Sequence, residues 1–216
     1  MKKEMDKIFE VRGLFYPLGM DSCRKYLKIK RIESEKDNKE DLVVIMMNPG
    51  SSRPKDNSRV EEELETKPDT TQYQIMRVMK EIGSNYAIVL NLSDIRNADS
   101  KKIYPRFKTN PKKCEHSVFS DTDINYEFLK QKLNPQSIFI FAWGVDEKLS
   151  NFAKQAIDVL YKLFGSNIKQ VGIKHPLNMY GYFHPLQRTQ TNRDLWVEII
   201  LRQIKELQIT PKEFNQ

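Results

Sequence analysis

Apolar residues in this protein gather in short unbroken runs, and each run ends at polar or hinge residues. The strongest is Leu42-Val43-Val44-Ile45-Met46-Met47, which reads as a strand buried on both faces, as in a parallel sheet. It stops at Asn48-Pro49-Gly50-Ser51-Ser52. There Pro fixes one φ, Gly permits φ > 0, and backbone N–H groups can face a ligand. Tyr86-Ala87-Ile88-Val89-Leu90 ends in Asn91-Leu92-Ser93-Asp94, and Ser137-Ile138-Phe139-Ile140-Phe141-Ala142 ends in Trp143-Gly144. A weaker fourth run, Ile168-Lys169-Gln170-Val171-Gly172-Ile173, ends in Lys174-His175-Pro176-Leu177.

Helical periodicity separates these runs. Ile75, Met79 and Ile82 share one face of a segment starting near Thr70. Leu149, Phe152, Ala153, Ala156, Leu160 and Leu163 form a stripe between Asp146 and Phe164. A last helix is expected from Thr191 to about Leu207. The alternation predicts an α/β fold with three layers, α/β/α, around a mainly parallel central sheet. In such sheets ligands sit outside the carboxyl ends of the strands. Asn48, Asn91, Gly144 and a His-Pro loop are therefore expected at one rim. Cys23-Arg24-Lys25-Tyr26-Leu27-Lys28-Ile29-Lys30-Arg31 alternates apolar and basic residues, which predicts an edge strand over residues 25–32 with one charged face.

The length of 216 residues fits one domain, 1–216, with a core of its own. Two cysteines, Cys23 and Cys114, are too few for a disulfide framework and point to a cytoplasmic setting. The charged start, Met1 to Lys7, has no apolar leader segment, and no run approaches the ~20 residues of a membrane helix. The net charge of +7 favours a polyanionic partner. Lys101, Lys102, Arg106 and Lys108, with Tyr104 and Phe107 among them, combine cations for phosphates with aromatics for stacking. They are candidate nucleic-acid contacts. Glu61, Glu62, Glu63 and Glu65 form an acidic patch expected to face away from any groove or to fold over as a lid. Residues 53–68 read as a long loop or insertion.

No phosphate-binding Gly-Lys-Ser/Thr loop, dinucleotide fingerprint or nucleophile elbow is present. The three histidines, His116, His175 and His184, do not have the spacing of a helical zinc site. No cofactor and no metal are expected.

In order, Asn48-Pro49-Gly50-Ser51, Leu90-Asn91, Trp143-Gly144 and a late His-Pro resemble the motifs of the uracil-DNA glycosylase superfamily. The full sequence is also similar to a bacterial and phage domain family of unknown function. That family carries Asn-Pro-Ser/Gly, a Pro-Asp-Thr-like segment (here Pro68-Asp69-Thr70), Asn-Leu, Ala-Trp-Gly and His-Pro-Leu. His-Pro-Leu occurs twice. The glycosylase resemblance favours His175 and the second family favours His184, and both stay open.

The glycosylase resemblance implies a DNA-repair hydrolysis of an N-glycosidic bond. Asn48 and one histidine would be catalytic, with Pro49, Gly50, Ser51, Ser52, Asn91, Trp143 and Gly144 binding the substrate. Asn91 would read the edge of an extruded base, and the histidine would stabilise the departing base. Strong uracil glycosylases carry Asp in the first motif. Asn48 cannot take a proton and can only orient water, so such an enzyme would be slow or specialised for an easily lost base. Two other classes remain: a non-catalytic nucleic-acid-binding protein with the same cleft, and an enzyme acting on a free nucleotide or nucleoside.

Overall fold

A computed structural model describes residues 1–34, 41–55 and 63–209, with the backbone alone at Ser100, Gln208 and Ile209. Seven strands form one sheet: β1 (Phe9–Leu18), β2 (Asp21–Arg31), β3 (Leu42–Met46), β4 (Glu63–Glu65), β5 (Tyr86–Asn91), β6 (Ile138–Phe141) and β7 (Lys169–Val171). The helices are α1 (Lys2–Ile8), α2 (Thr70–Ile82), α3 (Ser100–Ile103), α4 (Asp123–Lys132), α5 (Ser150–Phe164) and α6 (Gln190–Ile209).

The sheet order is β4-β1-β2-β5-β3-β6-β7. The four apolar runs form its contiguous parallel half, β5-β3-β6-β7. The other half is antiparallel throughout, so the sheet is mixed rather than mainly parallel. The difference comes from a hairpin at the N-terminal end. Its strands β1 and β2 are joined by Gly19-Met20, with Gly19 at φ +58°. The hairpin docks β2 onto β5, and β1 receives β4 on its other side. The expectation of an edge strand over residues 25–32 is therefore corrected. β2 lies inside the sheet, and its charged face is neutralised from the side: Glu63 takes an ion pair from Lys28 and a 2.6 Å hydrogen bond from Tyr26. Glu63 and Glu65 belong to an edge strand and not to a lid. Glu61 and Glu62 lie outside the described residues, as does much of the loop read over 53–68.

Helices cover both faces. One core cluster packs Tyr73, Ile75, Met76 and Met79 of α2 and Trp196, Val197, Ile200 and Ile204 of α6 on Val44, Met46 and Val89. The opposite cluster packs Leu129 of α4 and Phe152, Ala156 and Leu160 of α5 on Val43, Ile88 and Phe139. The path from β3 runs to α2 on the first face, and the path from β5 runs to α4 on the second. Adjacent parallel strands whose connections diverge in this way open a crevice between their carboxyl ends.

Helix α2 starts where its sequence directs. Asp69 accepts from Gln72 N–H (2.9 Å) while Gln72 Oε1 accepts from Asp69 N–H (3.0 Å), a reciprocal capping box. Gly83 ends it at φ +69°. The basic stretch forms α3 and a following 3-10 turn, Tyr104–Lys108, with Ile103 and Phe107 buried beneath the exposed cations.

Leu90 is fully buried in β5. Leu90→Ala is expected to lower stability by about 2–5 kcal/mol in urea denaturation. Ile124→Ala on the exposed face of α4, 77% accessible, should stay within about 0.5 kcal/mol of the parent. Similar losses at both positions would contradict the layer assignment.

Candidate functional site

The Asn-Pro-Gly-Ser loop leaves the central strand β3 and turns back at once. Ser52 N–H bonds the Pro49 carbonyl (3.2 Å), Gly50 has φ +62°, and Arg96 Nε donates to the Ser52 carbonyl. Beside it the segment after β5 continues along β3, with Leu92 N–H on the Met46 carbonyl (2.8 Å) and Ser93 N–H on the Met47 carbonyl (3.0 Å). Under this rim lies a cavity of about 350 Å³, at the small end of the ~300–1,000 Å³ usual for ligand sites. Met46, Met47, Asn48, Pro49, Gly50 and Ser51 form one wall. The first turn of α2, Asp69 to Gln72, forms a second, and Asn97, Ala98, His184, Leu186 and Arg24 close it.

Asn48 is held in one orientation. Its amide NH₂ donates to the carbonyls of Asn97 (2.7 Å) and Ile95 (3.3 Å). Both amide protons are engaged, so Oδ1 is left as an acceptor. His184 has the complementary polarity. Its Nδ1 accepts the Leu186 N–H (3.1 Å), so the neutral ring carries its proton on Nε2. Burial pulls the imidazole down to about 4, which keeps it neutral at pH 7. The loop around it is anchored by Phe183, whose N–H bonds the Ile173 carbonyl (2.8 Å) and whose carbonyl accepts from Trp196 Nε1 on α6 (2.9 Å).

The two His-Pro-Leu copies make the same local turn. His175 Nδ1 likewise accepts the N–H of Leu177 (3.3 Å), and also that of Asn178 (3.1 Å). Only His184 lines the cavity. His175 packs against Phe183 with ring centroids 5.6 Å apart.

Several sequence-predicted residues stand elsewhere. Asn91 is fully buried behind the cavity wall. In the orientation that satisfies both neighbours, its amide donates to the Asn48 carbonyl (3.2 Å) and accepts from Arg24 Nη2 (3.2 Å). It braces the site and has no free edge with which to read a base. Trp143 is buried, gives its indole N–H to the Tyr180 carbonyl (2.6 Å), and packs on Phe141 and Tyr182. Gly144, at φ +112°, exchanges two backbone bonds with Tyr182. Ser52 is buried and lies outside the lining. Lys101, Lys102, Arg106 and Lys108 are exposed on α3 and the turn that follows, and Arg106 pairs with Asp21 at 2.7 Å. They lie outside the cavity, although Asn97 and Ala98 in its lining lead into α3.

The residue that sequence reasoning missed is Arg24. In the β1–β2 pairing Leu14 opposes Tyr26 and Phe15 opposes Arg24, so Lys25 is an extra residue on β2. This bulge puts Lys25 and Tyr26 on one face, both against Phe128, and re-aims Arg24 to the α2 face. Strict alternation would have sent Arg24 to the other side. The first turn of α2 was also missed, and its signal was Asp69 followed three residues later by Gln72.

Fold and site thus define an α/β protein with a mixed seven-stranded sheet and a polar cavity at the exit of its central parallel strands. Residues 26–186 match the model of a family described as a protein of unknown function, DUF1643, and the protein belongs to that family. No curated protein matches its sequence. Among solved structures, a feruloyl esterase module from Clostridium thermocellum in complex with sinapinate aligns at 8% identity with a TM-score of 0.30. The alignment covers 72% of this protein and spans 62% of that module.

A histidine whose folded-state pKa lies below its ordinary 6.5 contributes stability that is full above about 6.5 and lost as pH falls toward about 4. The His184 ring signals in an NMR titration are expected to shift with a midpoint near 4 and to stay flat through 6.5. A midpoint near 6.5 would contradict the desolvated, partly buried ring with its proton on Nε2.

Proposed function

We propose that the cavity takes a nucleobase-bearing substrate and hydrolyses its N-glycosidic bond, with a fold of the uracil-DNA glycosylase kind. The observation that carries this reading is the pairing of an acceptor, Asn48 Oδ1, with a donor, His184 Nε2–H, in the lining of one cavity. Breaking the bond between sugar carbon and base nitrogen leaves its electron pair on the base and positive charge on the sugar. His184 Nε2–H stabilises the departing base as an oxyanion-type donor. Asn48 Oδ1 accepts one proton of the attacking water in a hydrogen bond and orients its oxygen toward the sugar carbon. The water's other proton passes to Asp69, the carboxylate in the described lining. Met46, Met47 and Leu186 supply apolar contact for the faces of the base.

The exposed Lys101, Lys102, Arg106 and Lys108 support a nucleic-acid strand as the carrier of that base. A free nucleotide or nucleoside is the second reading, and the specific observation favouring it is that these four cations lie outside the cavity lining.

The test is incubation with single- and double-stranded oligonucleotides bearing uracil, hypoxanthine, mismatches or modified pyrimidines, followed by alkaline cleavage at abasic sites. Asn48→Ala is expected to abolish excision with binding nearly intact. His184→Ala should lower the rate by roughly 10²–10³. The absence of abasic sites on every substrate with the parent protein would overturn the hydrolytic reading. Binding should weaken by about 0.9 power of salt per phosphate contact, and replacing all four cations by Glu should abolish it. Salt-independent oligonucleotide binding would remove the strand and leave the free nucleotide.

A further inference from the structure

Arg24 is 1% exposed and lines the cavity, yet its Nε and Nη1 have no hydrogen-bond partner among the described residues. The uncharged Asn91 amide meets Nη2. No carboxylate among the described residues lies within ion-pair distance of the guanidinium. Asp69 and Asp94 are the acids whose charge bears on it. Asp94 is tied to Arg24 through the backbone, its carbonyl accepting the Arg24 N–H (2.8 Å). Burial pushes its own carboxyl well up, and that carboxyl accepts the Tyr16 O–H at 2.8 Å. Burial lowers the Arg24 guanidinium to about 10, so the group stays cationic at pH 7. A buried donor without an acceptor is rare enough in native proteins to need an explanation.

The first turn of α2 faces the same cavity. Asp69 takes the Gln72 N–H and its backbone oxygen takes the Tyr73 N–H. The N–H groups of Thr70 and Thr71 have no acceptor among the described residues, and both residues line the cavity. They carry the positive end of a 13-residue helix. Asp69 opposes an anion here, but one of its oxygens is already turned to Gln72.

We propose that Arg24 and the first turn of α2 form a subsite for a phosphate group carried by the ligand of this cavity, so that the substrate class is a nucleotide or a strand rather than a nucleoside. Anionic oxygens accept from Arg24 Nε and Nη1 and from the Thr70 and Thr71 N–H groups, the pattern of phosphate binding at helix N-termini reinforced by a charge-assisted bond. The subsite rests on the reading of a base-bearing substrate and adds the group by which that substrate is held. The β2 bulge is what brings the guanidinium there.

Isothermal titration with inorganic phosphate, the deoxynucleoside 5′-monophosphates of the common bases and uracil, their uncharged nucleosides, and a single-stranded oligonucleotide tests this. At least one monophosphate or the oligonucleotide should bind at least tenfold more tightly than the matching nucleoside. Arg24→Gln should erase that preference, and Arg24→Lys should keep part of it. Tighter binding of the oligonucleotide than of any monophosphate assigns the phosphate to a strand, and the reverse assigns it to a free nucleotide. The subsite is overturned if nucleosides bind as tightly as their phosphates, if no phosphate-bearing probe binds at millimolar concentration, or if folded Arg24→Gln keeps the preference. Should Arg24→Gln not fold, the ratio measured on the parent protein decides alone. Absence of the preference in the parent protein, with excision intact, removes only the subsite. A preference shown by the parent protein and erased by Arg24→Gln, with no abasic sites, removes only the hydrolytic reading.

Discussion

A guanidinium withdrawn from water loses a hydration free energy that only hydrogen bonds and opposite charge can replace, and the effective penalty is several kcal/mol. Arg24, a residue of the cavity wall, sits under that constraint with one amide partner, Asn91, and two buried nitrogens that have no partner among the described residues. Asn91 also braces the backbone at Asn48. The cation, the brace and the first-motif asparagine are therefore one unit, joined across three strands that meet at the same rim. A change in any of them reaches the others through hydrogen bonds of about 3 Å, and this coupling makes the rim a site.

The sheet supplies the geometry for that unit. Strands β5, β3 and β6 run parallel, so their carboxyl ends and the loops that follow gather on one edge. Strand β2 runs antiparallel to β5, which brings its beginning, with Arg24, to the same edge. Because the connections from β3 and β5 leave to opposite faces, a gap stays between them, and α2 presents its N-terminal turn to it. The mixed topology is thus part of the site. An all-parallel sheet would not have delivered a cation from a hairpin strand to this rim.

Much of the parallel half was legible because strands buried on both faces read as unbroken apolar runs, as from Leu42 to Met46 and from Ile138 to Phe141. Strand β1 was not, since Phe9–Leu18 contains Gly13 and Pro17 and gains its meaning only from its partners. The place of β2 was misread for a related reason. A basic face marks an edge only if no other strand brings it a counter-charge, and Glu63 of β4 brings one to Lys28 across β1. Within the site, Asn48 and the Asn-Pro-Gly-Ser turn were readable as a polar strand exit. Arg24 was not, because a one-residue bulge leaves no mark in composition yet moves a side chain to the other face. Asn91 and Trp143 occupy positions that look like binding residues in a motif, but burial turned both into supports. The paired His-Pro-Leu segments have a local cause: a histidine nitrogen accepting the N–H two residues on stabilises the turn in either copy. Only tertiary packing, with Phe183 anchored to Trp196, separates His184 from His175.

The Arg24 guanidinium has its own resonance, which reports its occupancy directly. In a ¹⁵N-resolved NMR titration of the protein with deoxynucleoside 5′-monophosphates, the Arg24 Nε–H signal is the one to follow. The expected result is a downfield shift and slowed solvent exchange of that signal at the same saturation as the Thr70 and Thr71 amides. An Arg24 signal that stays fixed while only the α3 lysines respond would contradict it.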